Sequence, residues 1–323
     1  MLTAHQVAPE LPTNLTWLNS PPLALKSLKN KVILLDFWTY SCINCQRTLP
    51  ILRSWWDKYK DHGLVIIGIH SPEFEFESDP ENVKEALEKY RVTWPIVLDN
   101  NFKIWQTYDN QYWPTEYLVD HQGKISSIHV GEGECLETEA HIRQSLEKAG
   151  FKITSEPEQF ISEPLGHYQT PELYLGYNRG ILGNPKGYYK DHPFLYQSPD
   201  QIEPDFIYLQ GIWEAKPEYI EHTKQTEELE DVITLSYQAT KVFLVMESAS
   251  EKPIKVYVTL DENNLAESDA GVDINFDKEN RSFINVQFST LYNIIDTKTF
   301  GSHIVKISTL EKGLRCFAFT FGS

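Results

Sequence analysis

The run KVILLDFWTYSCINCQRTLPILRSWWDKYK, residues 31–60, constrains the fold more than any other part of the chain. It opens with an unbroken apolar stretch of strand length, which suits a strand covered on both faces. It continues with Leu49, Leu52, Trp55, Trp56 and Tyr59 at helical spacing. A buried strand feeding a helix is the first half of a βαβ unit, and such units build a sheet packed on both sides. Two cysteines, Cys42 and Cys45, stand where the strand gives way to the helix.

The residues that follow extend the pattern. LVIIGIH is a second buried strand, and DPENVKEALEKY is a helix with Asp79 as its cap and Pro80 at its first position. PIVLD is short and extended, and NFKIWQTY is helical. TEYLVD and ISSIHV form a hairpin about a Gly-containing turn, and LETEAHIRQSLEKAG closes with Gly150 at its end. The predicted order is β-α-β-α-β-α-β-β-α over residues 1–150, a mixed central sheet with helices on both faces. TSEPEQFISEPLGHYQTPE then reads as a linker over 151–170. Residues 171–323 change texture: seven of the eight tryptophans lie earlier, and short alternating runs separated by turn residues predict an all-β sandwich. DVITLSYQA, KVFLVMES and HIVKISTL are read there as separate strands.

Charge narrows the partners. A net charge of -17 repels nucleic acid and anionic membranes, so neither is expected. No stretch is apolar over eighteen residues, which predicts no membrane span. The N-terminus lacks a basic start followed by an apolar run. The chain as given therefore reads as soluble and cytoplasmic, with an extracytoplasmic protein shorn of its leader or membrane domain as the alternative.

Four cysteines are too few to staple 323 residues by disulfides. Cys135 and Cys316 stand alone and read as structural thiols. The Cys42–Cys45 pair has three readings: a redox couple, half of a zinc site, or two incidental thiols. Zinc needs two further ligands at suitable spacing, and no second CxxC supplies them, so no metal is expected. No cofactor is expected either. The redox reading has a physical basis. The first turn of a helix carries unpaired N–H groups and partial positive charge, which favour a thiolate at Cys42. Cys45, one turn on, is within reach of a mixed disulfide formed there.

LLDFWTYSCINCQRTLP resembles the active-site segment of the thioredoxin superfamily. Asp36 stands where those proteins keep a buried acid, Pro50 where they keep a helix-kinking proline, and YWPTEYLVD resembles the segment carrying their cis-proline, here Pro114. WLNSPPLALKSLKNK, GIHSPEFEFE and YWPTEYLVD bring the chain nearest to the TlpA/ResA branch and to the soluble part of DipZ-type proteins. TPELYLGY and CFAFTFG resemble the DipZ module that is similar to carbohydrate-binding jelly rolls, which implies a jelly-roll-like sandwich over residues 171–323. The resemblance implies a thiol-disulfide oxidoreductase that reduces protein disulfides. Cys42 would be the nucleophile, Cys45 the resolving thiol, Asp36 the acceptor of the Cys45 proton, and Pro114 a cis residue that presents the backbone of residue 113 to a substrate chain. Trp113, Tyr40, Ser41, Ile43 and Asn44 would border the substrate. DipZ-type proteins usually carry a membrane domain that delivers electrons; with none here, a separate thiol protein is expected as donor.

Departures from thioredoxin are Ile43-Asn44 between the cysteines and Ser41 before the first, positions that tune thiolate stability. Glu73, Glu75 and Glu77 are read as a solvated insert, with an acid tuning the cysteine pair, as in the TlpA/ResA branch, as the other possibility. Tyr174, Tyr177, Tyr188, Tyr189 and Trp213 are the candidates for stacking on a carbohydrate, against a reading in which they fill the core. Two other functions stay open. One is a carbohydrate- or protein-binding module with a secondary redox domain. The other is a peroxide-reducing thiol enzyme, although the segment before Cys42 lacks the proline of the Pro-x-x-x-Thr/Ser-x-x-Cys motif.

Overall fold

In the computed structural model, described for residues 2–158, 168–250 and 252–322, the chain divides into two compact units, Met1–Glu163 and Pro164–Ser323. Part of the expected linker lies outside the described residues.

The first unit is built on the apolar strand β2 (Val32–Trp38), all seven residues of which are buried. A strand with both faces covered needs partners on both edges. It pairs in parallel with β3 (Leu64–His70) and antiparallel with β5 (Thr115–Val119). With β1 (Trp17–Leu18), β4 (Ile96–Leu98) and β6 (Ile125–Val130) the sheet has the order β1-β4-β3-β2-β5-β6. Period-two alternation assigns the faces. Val32, Leu34 and Trp38 pack with helices α1 (Ile43–Tyr59), α2 (Pro80–Lys89) and α4 (Cys135–Lys148). Ile33, Leu35 and Phe37 pack with α3 (Lys103–Thr107) and with Ala8, Leu11 and Leu25 of the N-terminal segment. Each of these fully buried aliphatic side chains contributes about 1.5–3 kcal/mol.

The helix boundaries follow the local chemistry. Asp79 caps α2 by accepting from the Glu81 N–H at 2.9 Å, ahead of Pro80 at the first position. Asp99 accepts from the N–H groups of Ile104 and Trp105, at 2.9 and 2.8 Å, and so anchors the short α3. Gly150, just past α4, has φ +90°, open to glycine at little cost. The expected order of elements is present, with β1 as an added strand on the β4 edge.

Among the described residues the second unit is an antiparallel sheet of 11 strands, with no α-helix. DVITLSYQA and KVFLVMES, read from sequence as two strands, form one strand, Val232–Ser248. It pairs with a still longer strand, Thr290–Thr309, through register shifts at Ala239/Lys241 and Val242/Phe243. The polar QATK stretch is therefore a bulge and not a turn: a bulge bends a strand without ending it. The two halves of Val232–Ser248 also take different neighbours. Val232–Leu235 pairs with Ile207–Gln210, while Lys241–Ser248 pairs with Leu314–Gly322. One long bent strand thus serves two parts of the sheet, which wraps a core containing Leu209, Trp213, Leu235, Leu244, Val258 and Phe319.

Candidate active site

The strand-to-helix junction places the cysteines. Cys42 is the N-cap of α1, with ψ 118°, and its Sγ accepts from the Cys45 N–H at 3.4 Å. The Gln46 side chain donates to the Tyr40 carbonyl at 2.8 Å and pins the loop that leads into the helix. Both cysteines are free thiols; Cys42 is half-buried and Cys45 wholly buried. Burial pushes the Cys45 thiol well up, and its hydrogen bond to Cys42, the charge of Cys42 and the charge of Asp36 act in the same direction.

Asp36 lies in the centre of β2, fully buried, and neither carboxylate oxygen has a hydrogen-bond partner among the described residues. Burial alone raises it from 3.8 to about 7. A second acid stands directly across the antiparallel ladder: Glu116 of β5 pairs in register with Asp36. Glu116 is 5% exposed, and burial followed by repulsion from Asp36 raises it to about 8. The sequence reading missed Glu116. Its one signal is the alternation in TEYLVD, which puts residues 116 and 118 on one face, but only the register shows that this face is the one Asp36 uses.

A third acid comes from the insert after β3. Glu77 is fully buried, which corrects the reading of this insert as solvated. Its Oε1 accepts from the Ser41 hydroxyl at 2.6 Å and the Ser41 N–H at 3.2 Å; its Oε2 accepts from the N–H groups of Glu73 and Phe74 at 2.5 and 3.0 Å. These donors, with the Thr39 hydroxyl, repay much of the cost of burying a carboxylate. Burial still raises it to about 7, with repulsion from Glu73 adding and the hydrogen bonds opposing. Glu73 and Glu75 do not share this burial.

Tyr40 and Ser41, expected to border a substrate, turn inward. Tyr40 is 2% exposed and stacks on His70, with centroids 5.7 Å apart and planes 17° from parallel; Ser41 is 1% exposed and held by Glu77. His70 is buried at the end of β3, and burial lowers it to about 3, so it is neutral. Ile43 is 9% exposed, while Asn44 and Trp113 are half-buried. The Trp113–Pro114 peptide is cis. The Trp113 indole donates to the Ser71 carbonyl at 3.0 Å and packs against Trp105 with centroids 4.3 Å apart.

The other two cysteines differ in setting. Cys316 is wholly buried in the core of the second unit, and burial pushes its thiol up. Cys135 is half-buried at the start of α4, raised by burial and then by the charge of Glu116. The aromatic candidates of the second unit are mostly engaged internally. Trp213 is fully buried and so cannot stack on a sugar ring. Tyr188 donates to the Leu175 carbonyl at 3.0 Å, Tyr189 stacks on Phe194 at 3.5 Å, Tyr174 lies under Arg179, and Tyr177 lies beside Lys190. No helix among the described residues is long and apolar enough to cross a membrane.

Comparison with known proteins bears on both units. The AhpC/TSA family profile matches residues 6–128, and the profile described as a thioredoxin-like C-terminal domain matches residues 170–322. Protein DipZ of Mycobacterium tuberculosis is 38% identical over 250 residues, 74% of this chain and 35% of that protein. The chain thus spans about a third of the length of the DipZ proteins it matches. Thiol-disulfide oxidoreductase YkuV of Bacillus subtilis is 30% identical over 127 residues, 39% of this chain and 85% of that protein. Thiol-disulfide oxidoreductase ResA of Bacillus cereus is 30% identical over 140 residues, 43% of this chain and 78% of that protein. With Cys42 capping the helix that holds Cys45, and a buried aspartate acting on Cys45, this similarity to YkuV and ResA means that the chain belongs to the thioredoxin-like thiol-disulfide oxidoreductases of the TlpA/ResA type.

Proposed function

We propose that the chain reduces disulfides in protein substrates and is itself returned to the dithiol by a separate thiol donor. The observation that carries this reading is the unequal setting of the two sulfurs: Cys42 is accessible at the helix N-cap, and Cys45 is buried beside Asp36. The N–H that points at the Cys42 sulfur and the positive end of α1 favour negative charge there. The Cys42 thiolate attacks one sulfur of the substrate disulfide, and the other leaves as a thiolate. Asp36 takes the proton of Cys45, whose thiolate attacks the Cys42 sulfur and releases the second substrate sulfur. Two electrons pass to the substrate, whose two thiolates take up protons from water, and the Cys42–Cys45 disulfide remains. The donor then supplies two electrons for the next turn. Trp113, Ile43 and Asn44 border the approach to Cys42, while Tyr40 and Ser41 support it from beneath.

Insulin, a protein with accessible disulfides, tests the assignment. Reduced wild-type protein should emerge with a Cys42–Cys45 disulfide and reduced insulin. Cys45→Ser should accumulate a covalent complex through Cys42, and Cys42→Ser should not react. A complex that forms through Cys45 in Cys42→Ser would reverse the roles. Equilibration in glutathione buffers sets the direction: a potential near thioredoxin's, roughly -270 mV, fits a reductase, and one near roughly -120 mV fits a disulfide donor.

A further inference from the structure

The proposed cycle leaves one proton to dispose of. Cys45 and Asp36 are both fully buried, so the proton taken from Cys45 has no direct route to water. The ladder supplies one. Asp36 of β2 pairs in register with Glu116 of β5, and Glu116 pairs in register with His129 of β6, the edge strand. Residues directly opposite one another in an antiparallel pair project from the same face with Cβ atoms about 5 Å apart. Leu34 and Leu118, two residues along β2 and β5, pack in the α1/α4 core, so the Asp36–Glu116–His129 row lies on the face that carries Cys45. The imidazole at the end of the row bridges inside and outside. Its Nε2 is buried with no hydrogen-bond partner among the described residues, and its Nδ1 lies 3.3 Å from Glu134 Oε2, a side chain 69% exposed.

We infer that Glu116 and His129 form a proton path between Asp36 and solvent, serving the Cys45 step of the cycle proposed above, on which this inference rests. Each hop is balanced. Cys45 gives its proton to the Asp36 carboxylate. Asp36 passes a proton to Glu116, and Glu116 passes one to an imidazole nitrogen of His129. His129 releases a proton from its other nitrogen toward Glu134 and water. Glu116 and His129 act through Asp36 and not on the sulfurs. Among the groups that face the row, Cys45 on α1 feels the charge of Asp36, and Cys135 on α4 feels the charges of Glu116 and of Glu132, the last of which pairs with Arg47 at 3.0 Å. The two buried carboxyls repel each other, and that coupling keeps one of them ready to take a proton near neutrality.

The test separates the two sulfur steps in the full chain. Reduced protein is mixed with oxidised glutathione, quenched with acid at intervals and weighed intact: Cys42 attack adds one glutathione, and Cys45 resolution removes it. In wild-type protein both steps should be seen. His129→Ala and Glu116→Gln should still gain the glutathione, which also shows that they are folded. Each should resolve it about tenfold more slowly at pH 7, a smaller loss than the roughly hundredfold expected for removing a direct base. Added imidazole should restore the His129→Ala rate, sodium chloride at the same ionic strength should not, and Glu116→Gln should shift the pH profile of resolution. Resolution at the wild-type rate in both variants would overturn the path, as would slowing that is equal at every pH and indifferent to imidazole. Wild-type protein that never resolves the glutathione adduct would instead sink the parent dithiol cycle.

Discussion

Glu77 links the insert after β3 to the residue that precedes the first cysteine, and the Ser41 hydroxyl and the N–H groups of Ser41, Glu73 and Phe74 converge on its carboxylate. Removing that acceptor leaves the Ser41 hydroxyl and three backbone N–H groups without it in a buried setting, and each orphaned donor costs about 1–3 kcal/mol unless water reaches it. Glu77→Ala should therefore lower the unfolding free energy by on the order of 3 kcal/mol and slow the reaction of Cys42 with a disulfide, because Ser41 loses its anchor. Urea unfolding and the glutathione assay measure both; an unchanged midpoint would show that the Glu77 bonds contribute nothing net. In the same site Tyr40 packs between the neutral ring of His70, on which it stacks, and Phe76. A charged imidazole would be costly there, since the pocket is sealed from water.

Among the elements, β3 carries a constraint that its apolar composition conceals. Gly68 pairs in register with Asp36 on one side and with Ile96 on the other. A Cβ at Gly68 would collide with Ile96 Cδ1 and come within 2.8 Å of Trp38 Nε1. The glycine is therefore needed for close side-chain packing over the strand, although glycine weakens a strand interior. Gly68→Ala should destabilise the first unit by about 1–3 kcal/mol, the usual cost of overpacking a core. Thermal unfolding of the variant checks this, and a melting temperature equal to wild type would mean that Trp38 shifts freely. The second unit shows the opposite economy, in which a single strand, Val232–Ser248, bends through bulges and so takes neighbours that two separate strands would otherwise need.

At the scale of the molecule, the buried acids set a pH dependence of stability. Asp36, Glu77 and Glu116 are raised from 3.8, 4.5 and 4.5 to about 7, 7 and 8. Each therefore holds a proton in the folded chain at pH values where the unfolded chain has released it. The folded state binds more protons, so this contribution to stability is complete below the ordinary carboxyl range and is lost as pH rises through about 7 to 8. His70 works in the other direction: its depression to about 3 makes stability rise with pH up to its ordinary 6.5. Only the carboxyls act above that, so pH 6.5 and about pH 8.5 are the values to compare. The unfolding free energy of the first unit should fall between them by on the order of 3 kcal/mol. Asp36→Asn combined with Glu116→Gln should flatten most of the fall. A stability that is level or rising across this window would contradict the burial of these groups as acids.

Local chemistry decided much of this in advance. The KVILLDF run, the helical spacing after it, the Asp79-Pro80 cap and the Gly150 stop are short-range signals, and each element formed where its residues direct. The CINC pair at a strand-to-helix junction carries its chemistry in the sequence because a helix N-cap is a local structure. Glu116 and His129 were not legible, and Glu77 only as one of three acids in an insert read as solvated, since their roles depend on distant residues: Asp36 across the ladder for Glu116, 80 positions away, Asp36 through Glu116 for His129, 93 away, and Ser41 for Glu77, 36 away. A sequence shows that an acid alternates with apolar residues or sits in a polar insert. Whether that acid is solvated or buried beside another is settled only when strand register and chain packing bring the groups together and exclude the water between them.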